Sequence, residues 1–516
     1  MIGAAVFAAA LVFLSTRPPG PGLDPDSMAY MGAASSLVHE GRLRVPTAPW
    51  DRSDSTSSLS LWPPGFPVAI ALPVLLGASP VQSARWINVL AAAASAVVIV
   101  LLIADPLGAV AGAAGVLVVF ATQAVFDAHI SVLSEPLFIA VMLLVLATMI
   151  HARDRLLILG TFATLAVMIR YAGACAPLAV VLWTLLDSRY DIGTRARRAA
   201  VVALTPGVCI ILWFARTASA PDRHSTPSLG LYGGWGATFA QARDTLAEWL
   251  APVLQDGTGQ RIVALVVAIA LVVFIITAAR DTTDNRRRQM RYGGVATLIA
   301  AVSLLSVCYV AVILGSRAFV GGTIPLDGRI LAPLIVLIEV AGVVSIAYWW
   351  HAYHRPLRII IVLAGIAWIG AAATLTVNDA VYAVTEGSDF AGSDWRDSPL
   401  TAWVRTHGTG HPLYSNWPAG LYFHANRVAR ELPKATRPQD VAAFGALLRR
   451  NHGYVVAFNE VSPDFVPPDS IARETGLRRL ASTPDGDVWA AEQVTPIGEV
   501  ARDSVLNAPT QTKHRR

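Results

Sequence analysis

Apolar runs close to bilayer length recur along the first three quarters of the chain and leave few folds open. A hydrocarbon core needs about 20 apolar residues per helix. Runs of this kind lie near 2–16, 84–104, 107–125, 132–150, 156–169, 174–186, 199–218, 259–279, 293–315, 330–350 and 357–378. Inside lipid every backbone polar group must bond within its own segment, so such runs fold as helices. The expectation is a polytopic α-helical membrane protein with about eleven transmembrane helices, a couple of them short. Composition agrees: 54% of the 516 residues are hydrophobic and 15% charged, against about 25% charged in soluble chains. The net charge of +5 comes from Arg, since Lys appears only at Lys434 and Lys513. These arginines gather in short loops between apolar runs, which excludes nucleic acid as the natural partner. Cys175, Cys209 and Cys308 each lie in an apolar run, so no disulfide framework is expected. A nucleotide-binding glycine loop, metal-type Cys/His spacing and G-x-S-x-G are all absent.

The arginines also set orientation. HARDR at 151–155, RYDIGTRARR at 189–198, RDTTDNRRRQMR at 280–291 and HAYHRPLR at 351–358 fall on alternate loops. One parity places all four in the cytoplasm, with the N-terminus inside. Arg17, after a first run that no basic residue precedes, locally favours the opposite; four loops outweigh it. A cleaved signal peptide is the other reading of that first run and changes no later assignment. The same parity puts the 17–83 loop, the 126–131 loop, Arg170, the 219–258 and 316–329 loops and everything after 379 on the outer face of a cell membrane. A transporter buries its polar groups near the midplane; here only Glu339 stands clearly inside a run.

The chain divides accordingly: a membrane domain over 1–378, a polar α/β domain over 379–505, and a tail, 506–516, expected to be disordered. In the second part HPLYSN (411–416) and YVVAFN (454–459) read as strands and DVAAFGALLRRN (440–451) as a helix. LRRLASTPDGDVWAAEQV reads as a hairpin turning at Pro484–Asp485–Gly486.

The first outer loop carries two acids, Asp24 and Asp26, in LDPDSMAYMGAASSL. From Ser27 to Glu40, Met28, Met31, Ala34 or Ser35, and Val38 share one helical face, so an amphipathic helix along the membrane is expected. LWPPGFPVAIALPVLLGA follows. Its apolar run of about 12 residues is too short to span, so it reads as a re-entrant or surface-lying helix turned by Pro63 and Pro64.

The order D-S-x-x-Y at Asp26–Tyr30, W-P-P-G-F-P, SEPLF (134–138), RYAG (170–173) and GRILAPL (328–334) resembles the GT-C glycosyltransferases. Within that superfamily it is similar to the bacterial relatives of protein mannosyltransferases and aminoarabinose transferases. One departure concerns the leading acid: family members often have Asp-Glu where this chain has Asp26–Ser27. The second carboxylate is then supplied by Asp24 or is absent. The resemblance implies a polyprenyl-phosphate monosaccharide as donor and a lipid, glycan or protein acceptor at the outer face. It leaves hexosyl and pentosyl transfer open. A donor with a single phosphate can be handled by Arg alone, so no obligatory cofactor is expected; a divalent cation such as Mg or Mn is compatible.

Such a transfer needs a carboxylate base for the acceptor hydroxyl and cationic stabilisation of the leaving phosphate, for which the Arg fork is suited. Asp26 matches the family's leading acid and is the expected base; as a residue before an Ala-rich helix it also reads as an N-cap. Asp24 reads as a second acid, as part of a cation site, or as a turn residue in D-P-D. Tyr30 lies one turn on from Asp26 and faces either the site or the core. His129 and Glu135 are candidates for orienting donor or acceptor, and Glu135 equally for a helix N-terminal acid. Arg170 and Arg329 sit at outer ends of runs, against the positive-inside trend. Each is a candidate donor-phosphate ligand or a residue snorkelling to the headgroups. Arg317 and Asp327 share the second one's loop and can pair with it or with each other. The other readings are a multispan transporter or flippase, and a non-catalytic family member assisting cell-envelope glycan assembly.

Overall fold

The computed structural model describes residues 1–491 except 221, 223–229, 253, 255–256, 285, 322–323, 353–354 and 461; the expected tail 506–516 lies outside the described residues. The membrane part contains α1 (Ile2–Ser15), α2 (Pro25–Glu40), a two-stranded ribbon of β1 (Arg44–Val45) and β2 (Ser57–Ser58), and α3 (Gly65–Leu75). Then follow α4 (Pro80–Leu107), α5 (Ala109–Ala121), α6 (Gln123–Ile130), α7 (Glu135–His151), α8 (Leu156–Ile169) and α9 (Cys175–Leu185). The series ends with α10 (Ile192–Ser219), α11 (Trp235–Leu250), α12 (Gly257–Asp284), α13 (Arg286–Phe319), α14 (Gly328–Ala352) and α15 (Arg355–Thr385).

Every apolar run read from the sequence falls on one of these helices. Among the described residues six are long and apolar enough to cross a membrane, and seven if α5 and α6, bent by 72°, count as one span. The other four, α1, α7, α8 and α9, have 14, 17, 14 and 11 residues. The figure of about eleven spans is therefore not established by helix length. Local chemistry sets the helix starts. Ser79 Oγ accepts from Gln82 N at 3.2 Å ahead of Pro80, and Asp191 Oδ2 accepts from Thr194 N at 3.0 Å at the head of α10. The main core joins α1, α4, α5, α7, α8, α9, α13 and α14 through buried residues such as Ile99, Phe120, Phe138, Leu146, Tyr309 and Val336. Elsewhere the helices expose apolar side chains: Leu204, Ile211 and Phe214 on α10, Ile262 and Leu265 on α12, Ile359 and Leu363 on α15. Faces of that kind suit lipid and not water.

Two Arg-rich loops meet at one end of the bundle. Arg189 Nη2 reaches Asp154 Oδ1 at 3.1 Å and Arg198 Nη2 reaches the same atom at 2.7 Å. At the other end stands the C-terminal domain: α16 (Ser393–Arg396), α17 (Pro399–His407), β3 (Leu413–Ser415), α18 (Pro418–Ala425), β4 (Arg430–Glu431), α19 (Val441–Asn451), β5 (Tyr454–Phe458), α20 (Pro468–Thr475), β6 (Arg478–Thr483) and β7 (Gly486–Ala490). Its sheet order is β4-β3-β5-β7-β6. Strand β3 runs parallel to β4 and β5, while β7 is antiparallel to β5 and β6. The expected strands, helix and hairpin all appear there; β4 and its parallel pairing were not foreseen. The membrane domain also runs past the expected boundary at 378, because α15 continues to Thr385.

The 17–83 loop is clamped between bundle and domain. Glu431 N donates to Ala48 O at 2.9 Å, Phe390 N to Leu23 O at 3.0 Å, and Trp50 packs edge-on against Phe444. The short apolar helix expected after Pro64 is α3, with Leu72 and Leu75 exposed. Helix α2 differs from expectation. It is not a one-faced helix lying on lipid, since every residue from 27 to 34 is buried. Helices α3, α4 and α18 cover it on several sides, so small residues such as Ala33, Ala34 and Gly32 serve close packing. A Cβ at Gly32 would overlap the Pro46 ring.

Candidate active site

The site assembles at the end of the bundle that carries the C-terminal domain. Residue Asp24 stands at the N-cap position of α2, and Ser27, where the family often has Glu, turns inward. Its Oγ accepts from Asp24 N at 2.9 Å and donates to Val132 O at 2.8 Å. The cap role read as an alternative for Asp26 therefore falls to the Asp24 position. Asp26 sits in the first turn of α2, free to point outward.

Arg329 lies at the start of α14, where Asp327 caps the helix by accepting from Ile330 N at 3.0 Å. The expectation that Asp327 pairs with an arginine of its own loop is thus corrected: the helix end takes its carboxylate. Arg329 reaches three other acids. Its Nε donates to Glu135 Oε1 at 2.7 Å, its Nη1 to Asp24 Oδ2 at 3.3 Å, and its Nη2 to Asp26 Oδ2. Arg170 reaches the same acid and places Nη1 2.7 Å from Glu135 Oε1. Glu135 is wholly buried and holds both guanidinium groups on one oxygen. Its solvation shell is replaced by charge-assisted donors, which is how a buried carboxylate is tolerated.

A second row fixes these groups. Arg170 Nη1 also donates to Ser134 Oγ at 2.9 Å, and Ser134 Oγ lies 3.3 Å from the buried Tyr30 hydroxyl. Arg170 itself is extended between α8 and a tight turn. A Cβ at Gly173 would overlap Ala166 O, and one at Gly65 would lie 2.5 Å from Met168 O. The glycines of RYAG and of the P-P-G-F-P run thus let both segments close against the end of α8 that leads into Arg170.

The cluster has one acid the sequence did not single out. Asp389 follows α15, adopts a left-handed backbone at φ 52°, and bridges Leu23, beside Asp24. Burial pushes its carboxyl above the usual range. Burial also pushes Asp24 up to about 7; Arg329 opposes this, while Asp26, Asp389 and Glu135 add to it. The Oδ1 of Asp24 is buried and has no partner among the described residues.

Of the seven expected site residues, Asp24, Asp26, Tyr30, Glu135, Arg170 and Arg329 come together. His129 does not: its Nδ1 lies 2.7 Å from Val125 O and its ring packs on Phe120, so it belongs to the core beside the broken span. Ser134 and Asp389 are the residues the reading missed. Ser134 lies inside SEPLF, where the motif itself was a signal; nothing local marks Asp389. Among the described residues no group of three or more His, Cys, Asp and Glu is arranged to hold a metal ion. Glu339, the acid inside a run, is bonded away from the cluster, accepting from Thr122 and, at 2.9 Å, from Trp249 Nε1.

By sequence, no protein-family model and no curated protein matches the chain. By structure it is similar to solved glycosyltransferases. The Archaeoglobus fulgidus oligosaccharyltransferase in complex with Zn and sulfate aligns over 88% of this chain and 68% of its own, with 12% identity and TM-score 0.56. AglB from the same organism, in complex with an inhibitory peptide and a dolichol-phosphate, aligns over 89% and 69%, with 10% identity and TM-score 0.54. The arabinofuranosyltransferase AftD from Mycobacteria aligns over 95% of this chain at 14% identity and TM-score 0.53; the chain spans 41% of that protein's length. ArnT from Cupriavidus metallidurans aligns over 95% and 97% at 16% identity and TM-score 0.48. The chain shares the fold of the two Archaeoglobus fulgidus structures and of AftD.

Proposed function

We propose that the chain is an inverting glycosyltransferase. It moves one sugar from a polyprenyl-phosphate monosaccharide to an acceptor hydroxyl on the extracytoplasmic face of the cell membrane. The observation that carries this is the meeting of two arginines and three carboxylates at the bundle end opposite the Arg-rich loops. A lipid-linked phosphate in AglB, which shares the fold, supports the choice of donor class. The sidedness follows from the positive-inside rule applied to the loops at 151–155 and 189–198.

Asp26 is the general base. The acceptor O–H bond breaks with its proton passing to Asp26, the oxygen bonds to the anomeric carbon, and the bond from that carbon to the phosphate oxygen breaks. Polyprenyl phosphate leaves with the electron pair, and Arg170 and Arg329 bear its charge. A single displacement without a covalent sugar–enzyme bond inverts the anomeric centre. The ion pairs describe the resting site: Arg329 holds Asp26 until a phosphate takes over its fork, which frees the carboxylate beside the bound donor. Glu135 keeps both guanidinium groups aimed at one point throughout. Tyr30 and Ser134 act on Arg170 and orient it, and Asp24 lines the acceptor side.

The test is turnover by purified protein of labelled undecaprenyl- or decaprenyl-phospho-sugars, mannosyl and arabinofuranosyl donors in separate arms. The wild type is expected to release polyprenyl phosphate and Asp26→Asn to do so about 10²–10⁴-fold more slowly. Equal turnover by Asp26→Asn would remove the base from the reading.

A further inference from the structure

Arg317 stands apart from the cluster and is 3% exposed in the last turn of α13. Its Nε donates to Thr238 Oγ1 at 3.1 Å and its Nη2 to Gly233 O at 2.7 Å. The guanidinium centre lies 5.3 Å from the centroid of the Trp235 ring. Its Nη1 is buried without a partner, and no carboxylate among the described residues pairs with it. Buried charges are normally paired, because an uncompensated one costs its solvation.

The surroundings favour an anion. Helix α11 begins at Trp235 with no side-chain cap and no acid in its first turn, so its open N–H groups and the positive end of its dipole lie beside Arg317. Gly234, at φ 82°, precedes that turn; a Cβ there would press on Arg317 Nη2 at 3.2 Å. The loop is pinned to the end of α13, Tyr232 N donating to Ala318 O at 2.9 Å and Gly230 N to Phe319 O at 3.1 Å. Around it Leu231, Phe239 and Phe319 are 84%, 52% and 54% exposed, an apolar rim that suits acyl chains. The place is distinct from the Arg329 cluster. Tyr309, whose hydroxyl donates to Ile330 O beside Arg329, precedes Arg317 by eight residues, about 12 Å along α13.

We propose that Arg317 and the first turn of α11 form a second anion site, which takes the phosphate of a membrane lipid headgroup. The phosphate accepts from Arg317 Nη1 and the α11 N–H groups, and the acyl chains lie along Leu231, Phe239 and Phe319. Nothing in this depends on sugar transfer, so either can fail alone.

The test uses the full chain carrying Arg329→Gln, which disables the first cluster, titrated with dihexanoyl phosphatidic acid below its micelle concentration. Inorganic phosphate and dihexanoylglycerol are the other arms, and the melting temperature is the readout. Phosphatidic acid is expected to raise the melting temperature saturably, with the other two inert. Adding Arg317→Gln is expected to raise the half-saturating concentration about tenfold. Adding Ala237→Asp, which supplies a carboxylate in the same turn, is expected to abolish the response while raising the unliganded melting temperature. An unchanged half-saturation in Arg317→Gln overturns the site, and so does a full response in Ala237→Asp should Arg317→Gln not fold. An equal response to inorganic phosphate overturns the lipid as occupant, and an equal response to dihexanoylglycerol overturns the anion. If the Arg329→Gln background does not fold, wild type is compared with Ala237→Asp on the same criteria.

Discussion

The two ends of the bundle use the same residue types to opposite effect. At the Arg-rich end Arg189 and Asp154 keep 39% and 54% of their side chains exposed. Hydrogen bonds from Arg189 hold Asp154 below the usual carboxylate range. At the other end Arg170 is 12% exposed and Glu135 not at all, and Asp24 is pushed up by burial although Arg329 touches it. Arginines of the first kind anchor loops in water. Those of the second kind are held on a fully buried Glu135, Arg170 almost wholly out of water and Arg329 about a third exposed, and beside Arg329 stand acids that a phosphate can displace. What separates a topogenic arginine from a binding one here is the company of buried carboxylates, not the residue.

The contrast breaks most visibly at Asp26. Asp26→Asn is expected to lower sugar transfer about 10²–10⁴-fold, or roughly 3–5 kcal/mol in the barrier, with donor binding kept. The check is single-turnover rate against donor half-saturation. A loss confined to binding would move Asp26 from base to donor contact.

Next in size is Glu135. Truncation to Ala leaves Arg170 and Arg329 facing each other without their shared buried acceptor. Breaking such a group costs about 3–5 kcal/mol, and Glu135→Gln, which keeps an acceptor oxygen, is expected to cost less. Thermal unfolding in detergent measures both. A surface-like cost for Glu135→Ala would show that solvent reaches the two arginines, and the difference between the ends would shrink.

Asp24 sharpens the comparison through pH. Its folded pKa of about 7 lies above the ordinary aspartate value of 3.8, so the folded state binds the proton more tightly. That contribution is complete below about pH 4 and is lost as pH rises through about 7. The size is on the order of 2–4 kcal/mol. Asp24→Asn is expected to flatten the stability profile across this window. A profile unchanged by the substitution would mean that water reaches Oδ1 and keeps the acid ionised.

Much of this was legible in the chain. Helix positions followed from apolar runs, and five of the six candidate residues that meet in the cluster from acids and arginines at the ends of those runs; Tyr30 was read from its place one turn along from Asp26. The rest was hidden for physical reasons. The 72° bend falls at Thr122, inside the run read as one span over 107–125, and Thr122 is held there by bonds to Val118 O and Glu339. His129 looks like a site residue in a polar-looking loop, yet that loop is helix α6 packed into the core. Asp327 and Arg329 are neighbours in sequence, but the start of α14 claims one and the cluster the other. Asp389 joins Asp24 from 365 residues away through a bridge to Leu23, and no local pattern encodes such a pairing.

The smallest expected effect lies at the exposed end. Arg189 bonds Asp154 and Asp187, and its guanidinium also lies near the Tyr190 ring. The geometry looks as dense as that around Arg329. Exposed pairs nevertheless contribute about 0.2–1 kcal/mol, because water competes for each group and salt screens them. Arg189→Ala is therefore expected to lower stability by no more than about 1 kcal/mol, to leave sugar transfer unchanged, and to lose even that effect at high ionic strength. Unfolding of both proteins at low and high salt decides it. A large, salt-insensitive loss would mean that this end is also closed to water, and that burial does not divide the two sets of arginines.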